Sequence, residues 1–268
     1  MKINNELIKK NINDVILTRE ISSITLNNDD SLLNFIVQKN EHVDLLLIDV
    51  FDGLNANFFV EKDASLTIKF INSNSKKNVS LHGILNENSE FNMYFADFAK
   101  ESITLTSNVI LLGDNSSSKV EFSTVSKDKV EKNYFINFDH IGKSTTSVLD
   151  CYGVSENEAS ISVKGISHIE KNSIKSNAIQ KAKVILFDKN SKGKASPILK
   201  IDCDDIKASH ACAIGSLNED HIYYLLSRGI NISEARKLVV LGYLLPIKNH
   251  FTNQDDKEYI ENYVRGEF

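Results

Sequence analysis

The amino-acid sequence predicts a mainly β fold followed by a C-terminal helical region, and three observations carry that prediction. Between Leu66 and Asp202 the chain is a succession of short segments in which apolar and polar residues alternate, without long helical periods. These segments are rich in Val, Ile, Thr, Phe and Tyr and are separated by Asn, Ser, Gly, Asp or Lys, the composition of strands joined by tight polar turns. Past Gly215 the apolar spacing becomes helical, with capping residues where a helix would begin.

Taken in order, residues 1–62 begin with a charged stretch and then show three strand-like runs, Ile16–Leu26, Leu32–Gln38 and Val43–Gly53. The predicted strands that follow include Ser65–Ile71, Asn78–Leu85, Ser89–Phe98, Ser102–Leu112, Ser118–Val125, Asn133–His140, Thr146–Val154, Ala159–His168, Ala182–Phe187 and Pro197–Cys203. A spacing of about a dozen residues per strand fits either a β-sandwich or a stacked solenoid, and no strict repeat chooses between them.

From Ile206 to Ile214 the pattern predicts one more strand, with Ala208, His210 and Cys212 on one face and Lys207, Ser209 and Ala211 on the other. Asn218 is then an N-cap, Glu219 and Asp220 suit the first turn, and Leu217 can staple onto Ile222. Arg228 and Gly229 close that helix. Asn231 with Glu234 starts a second one, with Ala235, Leu238, Val239 and Gly242 on one stripe and Val240, Leu241, Tyr243, Leu244 and Leu245 adding apolar surface elsewhere. Pro246 ends it. Tyr259, Ile260, Tyr263 and Val264 mark a final amphipathic helix.

Composition narrows the function. A net charge of −5, from 31 basic and 36 acidic residues, argues against nucleic acid as a partner. The start MKINNELIKKNINDV lacks the apolar core of a signal peptide, and no run is long enough to span a membrane. Three cysteines, Cys151, Cys203 and Cys212, lack CxxC spacing and suit a reducing cytoplasm. Phosphate loops of the GxxxxGK[ST] and GxGxxG types and a GxSxG elbow are missing, so any ATP must be hydrolysed by another chain.

The block Asp204–Ile230, DDIKASHACAIGSLNEDHIYYLLSRGI, resembles the C-terminal signature of the SufB/SufD family, the scaffold subunits of SUF-type iron–sulfur cluster assembly. The likeness continues through Ile230–Leu238 and upstream through Pro197–Ile201 to the region around Gly165. The resemblance implies a right-handed parallel β-helix: residues 1–62 as an N-terminal cap or first rungs, 63–217 as the core, and 218–268 as a helical region docking an ATPase.

It also implies a non-catalytic scaffold that pairs through its terminal strands with a SufB-like subunit or a second copy of itself and binds a SufC-like ABC-type ATPase. The apolar helix bearing Leu238, Val239, Leu241, Tyr243 and Leu244 is the expected ATPase contact. His210 occupies the position of the family's histidine, where a transient iron–sulfur cluster, with none tightly bound, is expected. The family's cysteine two residues earlier is Ala208 here, and Cys212 offers a thiol on the other side of His210. Where SufB chains carry a cysteine in a CDSLLIG-like segment, this one has Ala182–Asp188 with Lys183, which makes it SufD-like.

His140 and His168 lack partners at metal-ligand spacing, and Cys203, Asp204 and Asp205 are adjacent on a strand and cannot converge. Two other readings stand beside the scaffold. One is a β-helical carbohydrate-active enzyme with acidic residues along a groove; the other is a metal-free structural homodimer.

Overall fold

A computed structural model of the chain describes residues 14–18, 32–48, 50–72 and 77–267. The N-terminal stretch read above for a signal peptide, and most of the run Ile16–Leu26, lie outside the described residues. The strands, in chain order, are β1 (Asp14–Leu17), β2 (Leu33–Val37), β3 (His42–Ile48), β4 (Leu54–Val60), β5 (Ser65–Asn72), β6 (Lys77–Leu85), β7 (Glu90–Asp97) and β8 (Ile103–Leu111). They continue as β9 (Ser117–Ser126), β10 (Glu131–His140), β11 (Thr146–Ser155), β12 (Ser160–Ile169), β13 (Asn177–Leu186), β14 (Lys192–Ile201) and β15 (Lys207–Gly215).

Successive strands from β2 onward alternate between two sheets. An eight-stranded sheet runs β1-β2-β4-β6-β8-β10-β12-β14, and a seven-stranded sheet runs β15-β13-β11-β9-β7-β5-β3. The pairings are parallel throughout. The chain is therefore a two-sheet β-solenoid and not a sandwich of antiparallel hairpins. The partner lies one coil away: 23 residues separate His42 from Ser65, and 31 separate Thr145 from Ser176. Each coil is longer than the last over most of its length, so the solenoid widens toward its C-terminal end.

The alternation read from the sequence is the in–out alternation of the coil wall. Along β8 and β10 every second residue is buried, and the apolar residues facing inward form one core from Val15 to Val184. Phe35 stacks on Phe58 one coil on, at a centroid separation of 5.1 Å, and Phe91 of the other sheet meets Phe58 tilted by 32° at 5.4 Å. The corners need left-handed backbone, which Asn and Asp tolerate best among residues with a side chain. Asn40, Asp63, Asn88 and Asn115 all have φ near +60°. Their side chains form a ladder: Asn88 Nδ2 donates to Asp63 Oδ1 at 2.8 Å, and Asn115 Nδ2 to Asn88 Oδ1 at 3.0 Å.

Three α-helices follow: α1 (Glu219–Ser227), α2 (Ile232–Leu244) and, after a 3-10 turn over Leu245–His250, α3 (Gln254–Glu267). Asn218 Oδ1 accepts from the His221 N–H and Asn231 Oδ1 from the Glu234 N–H, so both N-caps are made. Helices α2 and α3 and the turn between them cover the outer face of the seven-stranded sheet. Ala96, Val125, Val154 and Ile185 pack there against Leu241, Leu244, Ile247, Ile260 and Val264. His250 ties the turn to the wall, with Nε2 3.2 Å from Glu121 Oε1 and its ring stacked on Tyr94 at 3.8 Å.

The buried stripe of α2 is Ala235, Val240, Leu241 and Leu244, while Leu238 is exposed and Gly242 faces solvent. This corrects the stripe expected through Leu238, Val239 and Gly242. Two apolar stripes compete on this helix, and the one with the larger side chains meets the sheet.

Candidate functional site

The solenoid interior is built of columns, one residue per coil. One column of the seven-stranded sheet runs Met93, Val120, Leu149, Gln180 and His210; its neighbour runs Phe95, Phe122, Cys151, Ala182 and Cys212. Through Ala182 these residues are buried, because each coil covers the one before. At β15 the columns end, and the inward positions His210, Cys212 and Ile214 are exposed. In the other sheet β14 also ends the stack, with Ile201 exposed at an inward position. Among the described residues no strand pairs with the outer edges of β14 and β15, so their backbone groups lie unpaired beside an uncovered core.

His210 and Cys212 share the inward face, two residues apart on one strand, roughly 6.5–7 Å along it. Beneath His210 lies Gln180, whose Nε2 donates to Ser167 Oγ at 2.9 Å and to the Ile198 carbonyl at 3.2 Å. Its Oε1 is buried and accepts no hydrogen bond in this structure. Partial burial pushes the Cys212 thiol above its ordinary pKa, opposed by a hydrogen bond from the Ala182 backbone. Cys212 is accordingly a neutral thiol at pH 7 in the isolated chain. Cys151 is fully buried, and burial raises its thiol far higher still.

The other sequence candidates lie elsewhere. His140 is fully buried, its Nδ1 2.7 Å from Thr145 Oγ1 and its Nε2 2.8 Å from Ser147 Oγ, so both ring nitrogens are occupied. Burial lowers its pKa to about 4, and the ring is neutral at pH 7. His168 sits on the outer face between Asp202 at 2.9 Å and Asp139 at 3.7 Å. Cys203 is buried beside Ile169 and Ala178, while Asp204 and Asp205 are exposed. Among the described residues no group of three or more His, Cys, Asp or Glu side chains could hold a metal ion. His210 and Cys212 are the two donor-bearing side chains that share the uncovered inward face of β15.

Leu241 and Leu244 are 4% and 0% exposed in the core beneath α2, so they cannot meet a partner. Val239 and Tyr243 are partly buried there too. Tyr243 OH accepts from Lys183 Nζ at 2.5 Å, on the wall of a cavity of about 680 Å³ beside β15, which Cys212 and Ile214 also line. Of the five residues expected to form the ATPase contact, Leu238 alone is exposed. A larger apolar surface lies on α1, which buries none of its residues. Tyr223 is 74% exposed, Tyr224 57% and Leu226 40%, and Ile232 at the start of α2 is 49% exposed. Phe187, Ile222, Tyr223, Leu226 and Ile232 line a second cavity of about 300 Å³. The sequence signal was the run Ile222–Leu226, too apolar for a solvent-facing helix of a single chain.

A family model described as the SUF system FeS cluster assembly, SufBD core domain, matches residues 35–243. The chain belongs to the SufB/SufD family. Over 154 residues it is 32% identical to the iron–sulfur cluster assembly protein SufD of Bacillus subtilis (strain 168), a match covering 58% of this chain and 35% of that protein. It is 24% identical over 204 residues to an iron–sulfur cluster assembly SufBD family protein of Staphylococcus epidermidis (strain ATCC 12228 / FDA PCI 1200), covering 75% of this chain and 43% of the relative. To SufB of Bacillus subtilis it is 25% identical over 120 residues, or 45% and 25% of the two chains. The matches thus span less than half the length of these curated relatives. The core match includes β15 and α1, so the open end and the exposed helix are parts of the family's core domain.

Proposed function

We propose that this SufB/SufD-family chain is a non-catalytic scaffold subunit of SUF-type iron–sulfur cluster assembly. One observation supports this above the rest: within the family's core domain the solenoid ends, among the described residues, in an unfinished coil with His210 and Cys212 on the uncovered side. The free edges of β14 and β15 pair with the terminal strands of a SufB-like subunit or of a second copy. That pairing buries His210 and Cys212 at the joint and adds the partner's side chains to them, so that iron and sulfide are held as cargo between two chains. His210 contributes a neutral imidazole and Cys212 a thiol that loses its proton on binding. A SufC-like ABC-type ATPase docks on α1 and the start of α2, around Tyr223, Leu226 and Ile232, with Leu238 at the margin. The nucleotide chemistry belongs to that ATPase.

Two experiments test this. The chain is coexpressed with a SufC-like ATPase; wild type copurifies, and Tyr223→Ala/Leu226→Ala loses the complex while its thermal midpoint stays unchanged. The wild-type pair is then reconstituted anaerobically with iron and sulfide, beside pairs carrying His210→Ala or Cys212→Ala. The cluster absorbance is expected to fall in each variant. Equal absorbance in all three pairs would remove both residues from the site.

A further inference from the structure

We infer that the terminal coil is charge-coded for a different chain bearing carboxylates on its own end strand, and selects against a second copy of itself. The inference rests on the reading of β14 and β15 as pairing edges. It begins with the outward side of those strands. Lys192, Lys194 and Lys200 on β14 and Lys207 on β15 are exposed there, and neither strand contains an acidic residue. None of the four is held in an ion pair among the described residues.

The registers open to a self-dimer are few. A two-fold axis across the solenoid end makes the joining strands antiparallel, and directly opposite residues in such a pair point to the same face. Outward residues must then meet outward residues, since a slip by one residue would place core side chains in solvent. If the axis maps each sheet onto itself, β14 meets β14. The two registers that keep the longest ladder set Lys192 against Lys200, or Lys194 against Lys200, each contact occurring twice by symmetry. If the axis exchanges the sheets, β14 meets β15, and the longest ladder sets Lys200 against Lys207 while Lys192 faces Gly215.

Every long-ladder self-pairing therefore opposes lysine to lysine. Asp202, just past the end of β14, falls opposite Lys192 in the second of these registers, outside the strand, and leaves the two Lys194–Lys200 contacts unrelieved. Like charges directly opposite destabilise a strand pair, whereas a carboxylate in either place turns the same register into a favourable one. The partner that fits is an end strand with Asp or Glu across from Lys194 and Lys200.

A charge swap tests this without knowing the partner. The full-length variant Lys194→Glu/Lys200→Glu serves as the acidic strand, after circular dichroism and a thermal melt confirm that it folds as the wild type does. Wild type labelled at its N-terminus is titrated with unlabelled wild type and, separately, with the variant, and fluorescence anisotropy reads association. At low ionic strength the mixed pair is expected to form at least about tenfold more tightly than the wild-type self-pair. The gap should narrow at about 0.5 M salt. Equal affinities would overturn the charge selection and leave edge pairing intact. No association in either titration would remove the end strands as a pairing surface, and both readings would fall.

Discussion

His140 and His210 both lie on the inward side of the solenoid wall, yet the fold surrounds them in opposite ways. His140 ends β10, and β12 pairs alongside it, with Ile169 in register with the histidine. It is fully buried, with hydroxyls on both ring nitrogens. His210 occupies an equivalent inward position on β15, but no strand of the chain pairs beyond it among the described residues. A histidine inside a finished coil is a structural group whose hydrogen bonds the fold must satisfy, and one on the last coil is open to chemistry. The same contrast separates Cys151 from Cys212, which share one column.

The contrast is most strongly tested in the interior. Asp97 receives hydrogen bonds from Lys132 Nζ and Asn72 Nδ2, each at 2.8 Å, and a very short one from Tyr134 OH, all out of water. Asp97→Ala leaves the Lys132 ammonium buried and unpaired, so urea denaturation should show a loss of about 3–5 kcal/mol. A loss below about 1 kcal/mol would mean that the interior is not closed there.

Acid provides the next test. The folded-state pKa of His140 lies below its unfolded value, at about 4 against about 6.5. The unfolded chain therefore takes up this proton first, and stability falls as pH drops from about 6.5 toward 4. By pH 4.5 this group alone should cost about 2.5 kcal/mol. In His140→Gln that part of the pH dependence should vanish.

Thiol accessibility gives a smaller effect on the same contrast. In the native chain iodoacetamide should alkylate Cys212, faster as pH rises, while Cys151 and Cys203 react only after unfolding. Cys212→Ser should change stability by less than about 0.5 kcal/mol. Equal labelling of Cys151 would show that the coils above it open readily.

Much of the wall was legible in the sequence, because in–out alternation is a local property. The segment Asn133–His140 reads as a strand, and it forms most of β10. The start of β14 was missed: Lys192–Ser196 carries little apolar surface, and the expected strand began at Pro197. The repeat was hidden by its drift, since a coil that lengthens from 23 to 31 residues leaves no fixed period to find. Which stripe of α2 meets the sheet was not legible either. On α2 both apolar stripes look alike in sequence, while the sheet beneath has room for one, and α1 is left uncovered.

The sequence by itself determined the strands, the helix caps and, through the block ending at Ile230, the family, since each depends on side chains close together along the chain. It also placed His210 and Cys212 on one face of one strand. Only the tertiary structure decided that this face closes nothing. Whether a residue is buried depends on the coil stacked above it, which for His140 lies about thirty residues away and for His210 is absent among the described residues. The alternation that hides one histidine in the core therefore leaves the other at an open end, beside lysines that oppose a second copy.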